Sequence, residues 1–120
     1  MIMCEEMQRL REKLDKRGII WKDVSEITPE SVIEKMMARG VDRKYADTTI
    51  YRTYFEHGDY NFSVVYGFGT YGGIDVLYGH DEGLLECLTE KVNGGEPVGY
   101  LTADDVINII DDKFQVSDKF

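Results

Sequence analysis

The run Gly67-Phe68-Gly69-Thr70-Tyr71-Gly72-Gly73 satisfies the spacing G-x-G-x-x-G and follows a segment with strand alternation. Glycines at that spacing let a backbone close on a phosphate or on another chain. A dinucleotide site needs a helix next, whose N-terminus faces the pyrophosphate. Here Ile74-Asp75-Val76-Leu77-Tyr78 follows with strand alternation, and no acidic residue about 20 positions further on closes a βαβ unit. The chain holds no V-A-I-K, D-F-G or G-K-[ST], so kinase and P-loop chemistry are excluded. Two readings of the glycines stand: a bulged bend in a twisted hairpin, or a loop that admits a ligand through Tyr66, Gly67, Gly69, Thr70, Tyr71 and Gly72. Tyr54, Tyr60, Tyr66, Tyr71 and Tyr78 fall in or beside the same hairpin. Buried, they pack the strands; exposed on one face, they stack a base or anchor a partner.

The other reactive residue types give no legible catalytic set. His57 sits in an expected turn and His80 precedes Asp81 and Glu82. His80, Asp81 and Cys87 match no zinc spacing, so loop polarity accounts for both histidines and no metal is expected. Cys4 and Cys87 form no C-x-x-C and are too few for a disulfide framework, which reads as packing thiols in a reducing cytoplasm. Asp104-Asp105 and Asp111-Asp112 place acids seven apart on one helix face. An exposed helix face does not raise a carboxyl pKa as a general acid requires. No catalytic residue and no cofactor is therefore expected.

These residues need elements to hold them. Met3, Met7, Leu10 and Leu14 recur at helical spacing and predict a helix over Met3–Arg17, closed by Gly18. Ile19-Ile20-Trp21 reads as a short edge strand. Thr28-Pro29 opens a second helix with Val32, Ile33, Met36 and Met37 as its apolar face. The period then changes to two. Thr49–Phe55 and Tyr60–Tyr66 predict a hairpin around His57-Gly58-Asp59, with Tyr60, Phe62, Val64 and Tyr66 on one face and Asn61, Ser63 and Val65 on the solvent side. Ile74–Tyr78 predicts a third strand. Asp81 is expected to cap a helix through Leu84, Leu85, Leu88 and Val92, with Cys87 in it. Thr102-Ala-Asp-Asp105 is a capping-box start for a last helix lined by Val106, Ile109, Ile110 and Phe114. The fold class is α+β: about three antiparallel strands and about four helices, one domain over residues 1–120, with 114–120 as a loose tail.

Composition narrows the partners. The 120 residues carry 23 acids against 14 bases, net −9. The first 60 residues are nearly balanced and the remainder holds eleven acids and three bases. Such a balance speaks against direct nucleic-acid binding. No apolar run of about 18 residues spans a membrane, and no leader opens the chain.

Four runs then carry a resemblance: Arg52-Thr-Tyr-Phe, Phe62-Ser-Val-Val-Tyr-Gly-Phe-Gly-Thr-Tyr-Gly-Gly, Glu82-Gly-Leu-Leu-Glu, and Glu96-Pro-Val-Gly-Tyr-Leu-Thr-Ala-Asp-Asp-Val-Ile. Over roughly residues 50–110 the chain resembles small uncharacterised accessory proteins encoded by phages and prophages of Gram-positive gut bacteria. That group has no assigned activity, so no residue roles transfer. The resemblance implies a mobile-element accessory protein in the bacterial cytoplasm, and by analogy an inhibitor of host defence of the anti-CRISPR kind.

The leading expectation is a non-enzymatic inhibitor whose acidic surface covers a basic, nucleic-acid-handling host protein. Its contacts are Asp75, Glu82, Glu86, Asp104, Asp105, Asp111 and Asp112. The alternatives are a protein that sequesters a nucleotide-like molecule in the Gly67–Gly73 loop, and a self-assembling module. The latter would form a homodimer by pairing an exposed Thr49–Phe55 edge.

Overall fold

Strand alternation and a tight turn build the centre of the molecule. The computed structural model describes residues 2–115. Strand β2 (Ile50–His57) runs back on β3 (Tyr60–Gly67) through Gly58-Asp59, with His57 opposite Tyr60. Phe55 and Phe62 face each other across this pair with their rings stacked 4.7 Å apart. Burying each ring contributes on the order of 2–3 kcal/mol. Thr53, Val64 and Tyr66 share that face and are buried.

The chain then adds strands at both sides of this hairpin. Trp21–Asp23 (β1) pairs with β2, Leu85–Leu88 (β4) with β3, and Val98–Leu101 (β5) with β4. The result is one antiparallel sheet in the order β1-β2-β3-β4-β5. The fold is α+β, as the sequence predicts, with five strands in place of about three. Four α-helices are present among the described residues: α1 (Glu5–Lys16), α2 (Glu30–Ala38), α3 (Arg43–Ala46) and α4 (Ala103–Ile110).

Helices α1 and α4 cover one face of the sheet. Met7, Leu10 and Leu14 from α1 meet Val106, Ile109 and Ile110 from α4 over Phe55, Phe62, Val64, Leu85 and Cys87. The shortest dimension, 21 Å, is that of one helix layer on one sheet. Arg11 fixes α1 to β2: its Nε donates to Thr53 Oγ1 at 2.8 Å and Nη2 to the Arg52 carbonyl at 3.3 Å. Thr102 caps α4 as the sequence predicts. Its hydroxyl accepts from Asp105 N at 3.2 Å, and Asp105 Oδ2 accepts from Thr102 N at 2.9 Å.

Several expected elements differ. Ile74–Tyr78 is not a strand. Asp75 Oδ1 accepts from Leu77 N at 2.8 Å and its carbonyl accepts from Gly79 N at 2.7 Å, so the chain turns there. The segment after Asp81 is not a helix. Asp81 Oδ1 accepts from Gly83 N at 2.8 Å, and Leu85 and Cys87 then alternate inward along β4. Cys87 is thus a buried strand residue. Of Ile19–Trp21 only Trp21 enters β1; Ile19 is buried and Ile20 is exposed. Thr49–Phe55 is no edge, because β2 lies between β1 and β3. Val65 is buried despite its place on the expected solvent side. Only Ile33 of the expected α2 face is buried; Val32, Met36 and Met37 are exposed, since α2 packs chiefly on the short α3. Of the expected tail, Phe114 packs against the core, and residues 116–120 lie outside the described residues.

Candidate functional site

The glycine-rich loop leaves the end of β3 and folds on itself. Gly67 begins it beside β2: a Cβ there would sit 2.2 Å from the Thr49 carbonyl oxygen. Thr70 Oγ1 accepts from Gly67 N at 3.0 Å and donates to the Gly67 carbonyl at 2.9 Å. Gly69 N donates to Ile74 O, Gly73 N to Thr70 O, and Thr70 N and Ile74 N to Gly67 O. Phe68 N reaches Thr49 O, and Tyr71 N reaches Glu86 Oε1 at 3.0 Å. The amides of Gly67 to Tyr71, Gly73 and Ile74 are therefore committed inside the fold and not offered as a phosphate cradle.

The outer side of this loop forms a cleft of about 400 Å³, lined by Gly69–Val76 with His80, Glu82 and Tyr100. Tyr100 holds a left-handed conformation, φ 59°, rare for a bulky residue. It falls where the β4–β5 register shifts between Leu85 and Cys87, and its N–H donates to the Tyr71 carbonyl at 3.2 Å. Strain of this kind clusters at sites of recognition. Tyr71 in turn lies over Gly99, where a Cβ would meet Tyr71 Cβ at 2.2 Å. Tyr71 and Tyr100 together with Pro97 and Gly99 border a second hollow of about 260 Å³. Both rings are half exposed.

The cleft is acidic. His80 Nε2 and Glu82 Oε1 lie 2.9 Å apart, and Asp75 is exposed at the turn. No Lys or Arg is among the described lining residues. Beneath the loop, Tyr66 is buried and its hydroxyl donates to Asp81 Oδ2 at 2.5 Å. Burial, then the Asp81 hydrogen bond, push the Tyr66 phenol pKa up. Beyond the cleft, the turn at Asp75–Gly79 presents Leu77 and Tyr78, each 76% exposed. Tyr45 of α3 steadies it by donating to the Leu77 carbonyl at 2.9 Å.

The structure divides the seven acids expected at a contact surface. Asp75 and Glu82 line the cleft, and Glu86 braces its wall through Tyr71 N. The acids of α4 and of the residues just after it are engaged within the fold. Asp104 meets Lys13 at 3.0 Å and Arg9 at 3.6 Å. Asp111 forms a two-fold contact with Arg17, 2.6 Å on each oxygen. Asp112 meets Lys91 at 3.2 Å, and Asp105 closes the capping box. The basic residues of the first helix region thus answer acids far along the chain, Arg17 an aspartate 94 residues later.

Of the loop residues expected to hold a ligand, Gly69, Thr70, Tyr71 and Gly72 line the cleft, whereas Tyr66 and Gly67 are buried beneath it. Tyr100, absent from the sequence-based set, supplies a wall. Among the described residues no three His, Cys, Asp or Glu side chains are placed to hold a metal ion. Burial pushes the Cys87 thiol up to about 12, so it stays protonated near neutral pH. Burial also raises the thiol of Cys4, which sits at the N-cap of α1.

Comparison with protein-family models, with curated proteins and with solved structures finds no match to this chain. The functional reading therefore rests on the site itself. Among the described residues no helix is long and apolar enough to cross a membrane.

Proposed function

We propose that the protein is a non-catalytic binding module that docks a basic partner protein at the glycine-loop end of its sheet. The observation that carries this reading is the company there of exposed apolar side chains and acids with no described Lys or Arg within 4 Å. Tyr71, Val76, Leu77, Tyr78 and Tyr100 are all exposed, with Asp75 and Glu82 among them. Tyrosines are favoured anchors in interfaces, and carboxylates beside them select a cationic partner and speed its approach. Asp104, Asp111 and Asp112, matched by Arg9, Lys13, Arg17 and Lys91, contribute less to such a surface. The resemblance to phage accessory proteins makes a host factor with a basic nucleic-acid groove the first partner class to test, with inhibition of a host defence as the outcome.

Capture from a bacterial host lysate at low salt, with salt elution, tests this. A basic protein should be retained by the native chain and by Asp111→Asn, and lost with Tyr78→Ala or Glu82→Lys. Retention by all variants, or equal loss with Asp111→Asn, overturns the assignment of the surface.

Sequestration of a nucleotide-like molecule finds less support. All the loop amides from Gly67 to Ile74 except that of Gly72 are donated within the fold, and no cation among the described residues lines the cleft to meet a phosphate. A homodimer through β2 finds none, because both edges of that strand are paired.

A further inference from the structure

We infer that the cleft between the glycine-rich loop and Tyr100 is a seat for a single arginine side chain of the partner. This deepens, and rests on, the docking reading above. Three observations converge on a guanidinium.

The first is shape. The cleft's volume of about 400 Å³ accommodates one long side chain. Tyr71 and Tyr100 both border it and both keep about half their surface open. Aromatic rings left exposed at a cleft rim offer π-faces to a cation.

The second is charge. Elsewhere in the molecule Glu30, Asp104, Asp111 and Asp112 each meet a Lys or Arg within 4 Å. Among the described residues Asp75 and Glu82 meet none. Glu82 has only the His80 ring, and Asp75 a backbone amide. Two exposed carboxylates thus line one cleft with no described Lys or Arg within 4 Å of either. The titratable groups facing the cleft are Asp75, His80, Glu82, Tyr71 and Tyr100.

The third is fixation. Tyr71 is seated on Gly99 with no room for a side chain there, and Tyr100 is held by its N–H bond to Tyr71 O. The backbones that carry the two tyrosines are therefore fixed to one another, which lowers the ordering cost of binding. Arginine suits this seat better than lysine. Its planar head stacks on a ring while its N–H fork meets a carboxylate, whereas an ammonium is more strongly hydrated. The neighbouring hollow of about 260 Å³, bounded by the same two rings, would take an adjacent residue of the bound segment.

The test is a titration of isotope-labelled protein, followed by amide NMR, with the capped pentapeptide Gly-Gly-Arg-Gly-Gly and its Lys and citrulline analogues. The expected result is saturable shifts at Tyr71, Gly72, Val76 and Tyr100 with the Arg peptide at millimolar concentration. Affinity should fall about tenfold with Glu82→Gln and with Tyr100→Ala, little with Tyr100→Phe, which keeps the ring, and binding should be absent with citrulline. Asp111→Asn should leave it unchanged. Glu82→Gln keeps the side-chain shape, and its spectrum reports folding directly. No saturable shift, or equal response to arginine and citrulline, overturns the arginine seat. If the lysate partner is still captured through Tyr78 and Glu82 while the peptide leaves the cleft unmoved, the seat fails and the docking surface stands. If neither binds, both readings fall.

Discussion

A methyl group on Gly67 would lie 2.2 Å from the Thr49 carbonyl oxygen and 2.9 Å from Ile50 Cα, on a backbone with φ 155°. Both obstacles are main chain at the start of β2, so neither can swing aside. Gly67→Ala is expected to cost about 3 kcal/mol, read by urea unfolding. A loss below about 0.5 kcal/mol would mean that the loop root shifts freely. The glycine motif was legible as a motif, but its two candidate roles were not separable in the sequence. The decision lies in where the amides point and in how close Thr49 comes, and both are tertiary facts. Tyr66 illustrates the same limit, since alternation shows which face it shares and not that Asp81 takes its hydroxyl. Tyr100 carried no signal at all, because its place depends on a register shift between two strands.

At the scale of elements, local chemistry was readable where it stayed local. The Thr102 capping box satisfies N–H groups within four residues, and the structure keeps it. Thr102→Ala should therefore destabilise the protein by about 1 kcal/mol in thermal or denaturant unfolding. An unchanged midpoint would show that α4 is held by packing alone. The helix expected after Asp81 failed because leucines at helical spacing also satisfy a short strand. In β4, Leu85 and Cys87 point inward while Leu88 is exposed, so an outward leucine completes a helical pattern by coincidence. Ile74–Tyr78 alternates like a strand, yet Asp75 bonds its own backbone two residues on and Gly79 follows, which favours a turn. Pro97 and Gly99 hid β5, since both residues depress strand propensity.

Across the whole molecule, the uneven charge of the sequence becomes a contact between its first and last helices. The hydrogen bond and charge of Lys13 hold the Asp104 carboxyl below its ordinary 3.8, and those of Arg17 do the same for Asp111. A depressed folded pKa favours the ionised form in the fold. The stabilisation is therefore complete above about pH 4 and is lost as the pH falls through the lowered folded values. The native protein should lose melting temperature below pH 4, and Asp104→Asn/Asp111→Asn should lose less over the same range. These pairs are exposed, so the difference should shrink in high salt. Equal acid profiles would show that the pairs are incidental.

The order β1-β2-β3-β4-β5 with α1 against α4 also has a consequence in time. Each strand finds its partner next along the chain, so the sheet zips progressively as the polypeptide emerges from the ribosome. Its apolar face does not have that luxury. The cover formed by α4 arrives only after the sheet is complete, and until then Leu85, Cys87, Val98 and Leu101 stand open beside α1. The interval between synthesis of β5 and docking of α4 is the stage at which a nascent chain of this topology is most exposed to aggregation, and the Thr102 cap, which starts α4 one residue after β5 ends, keeps that interval short.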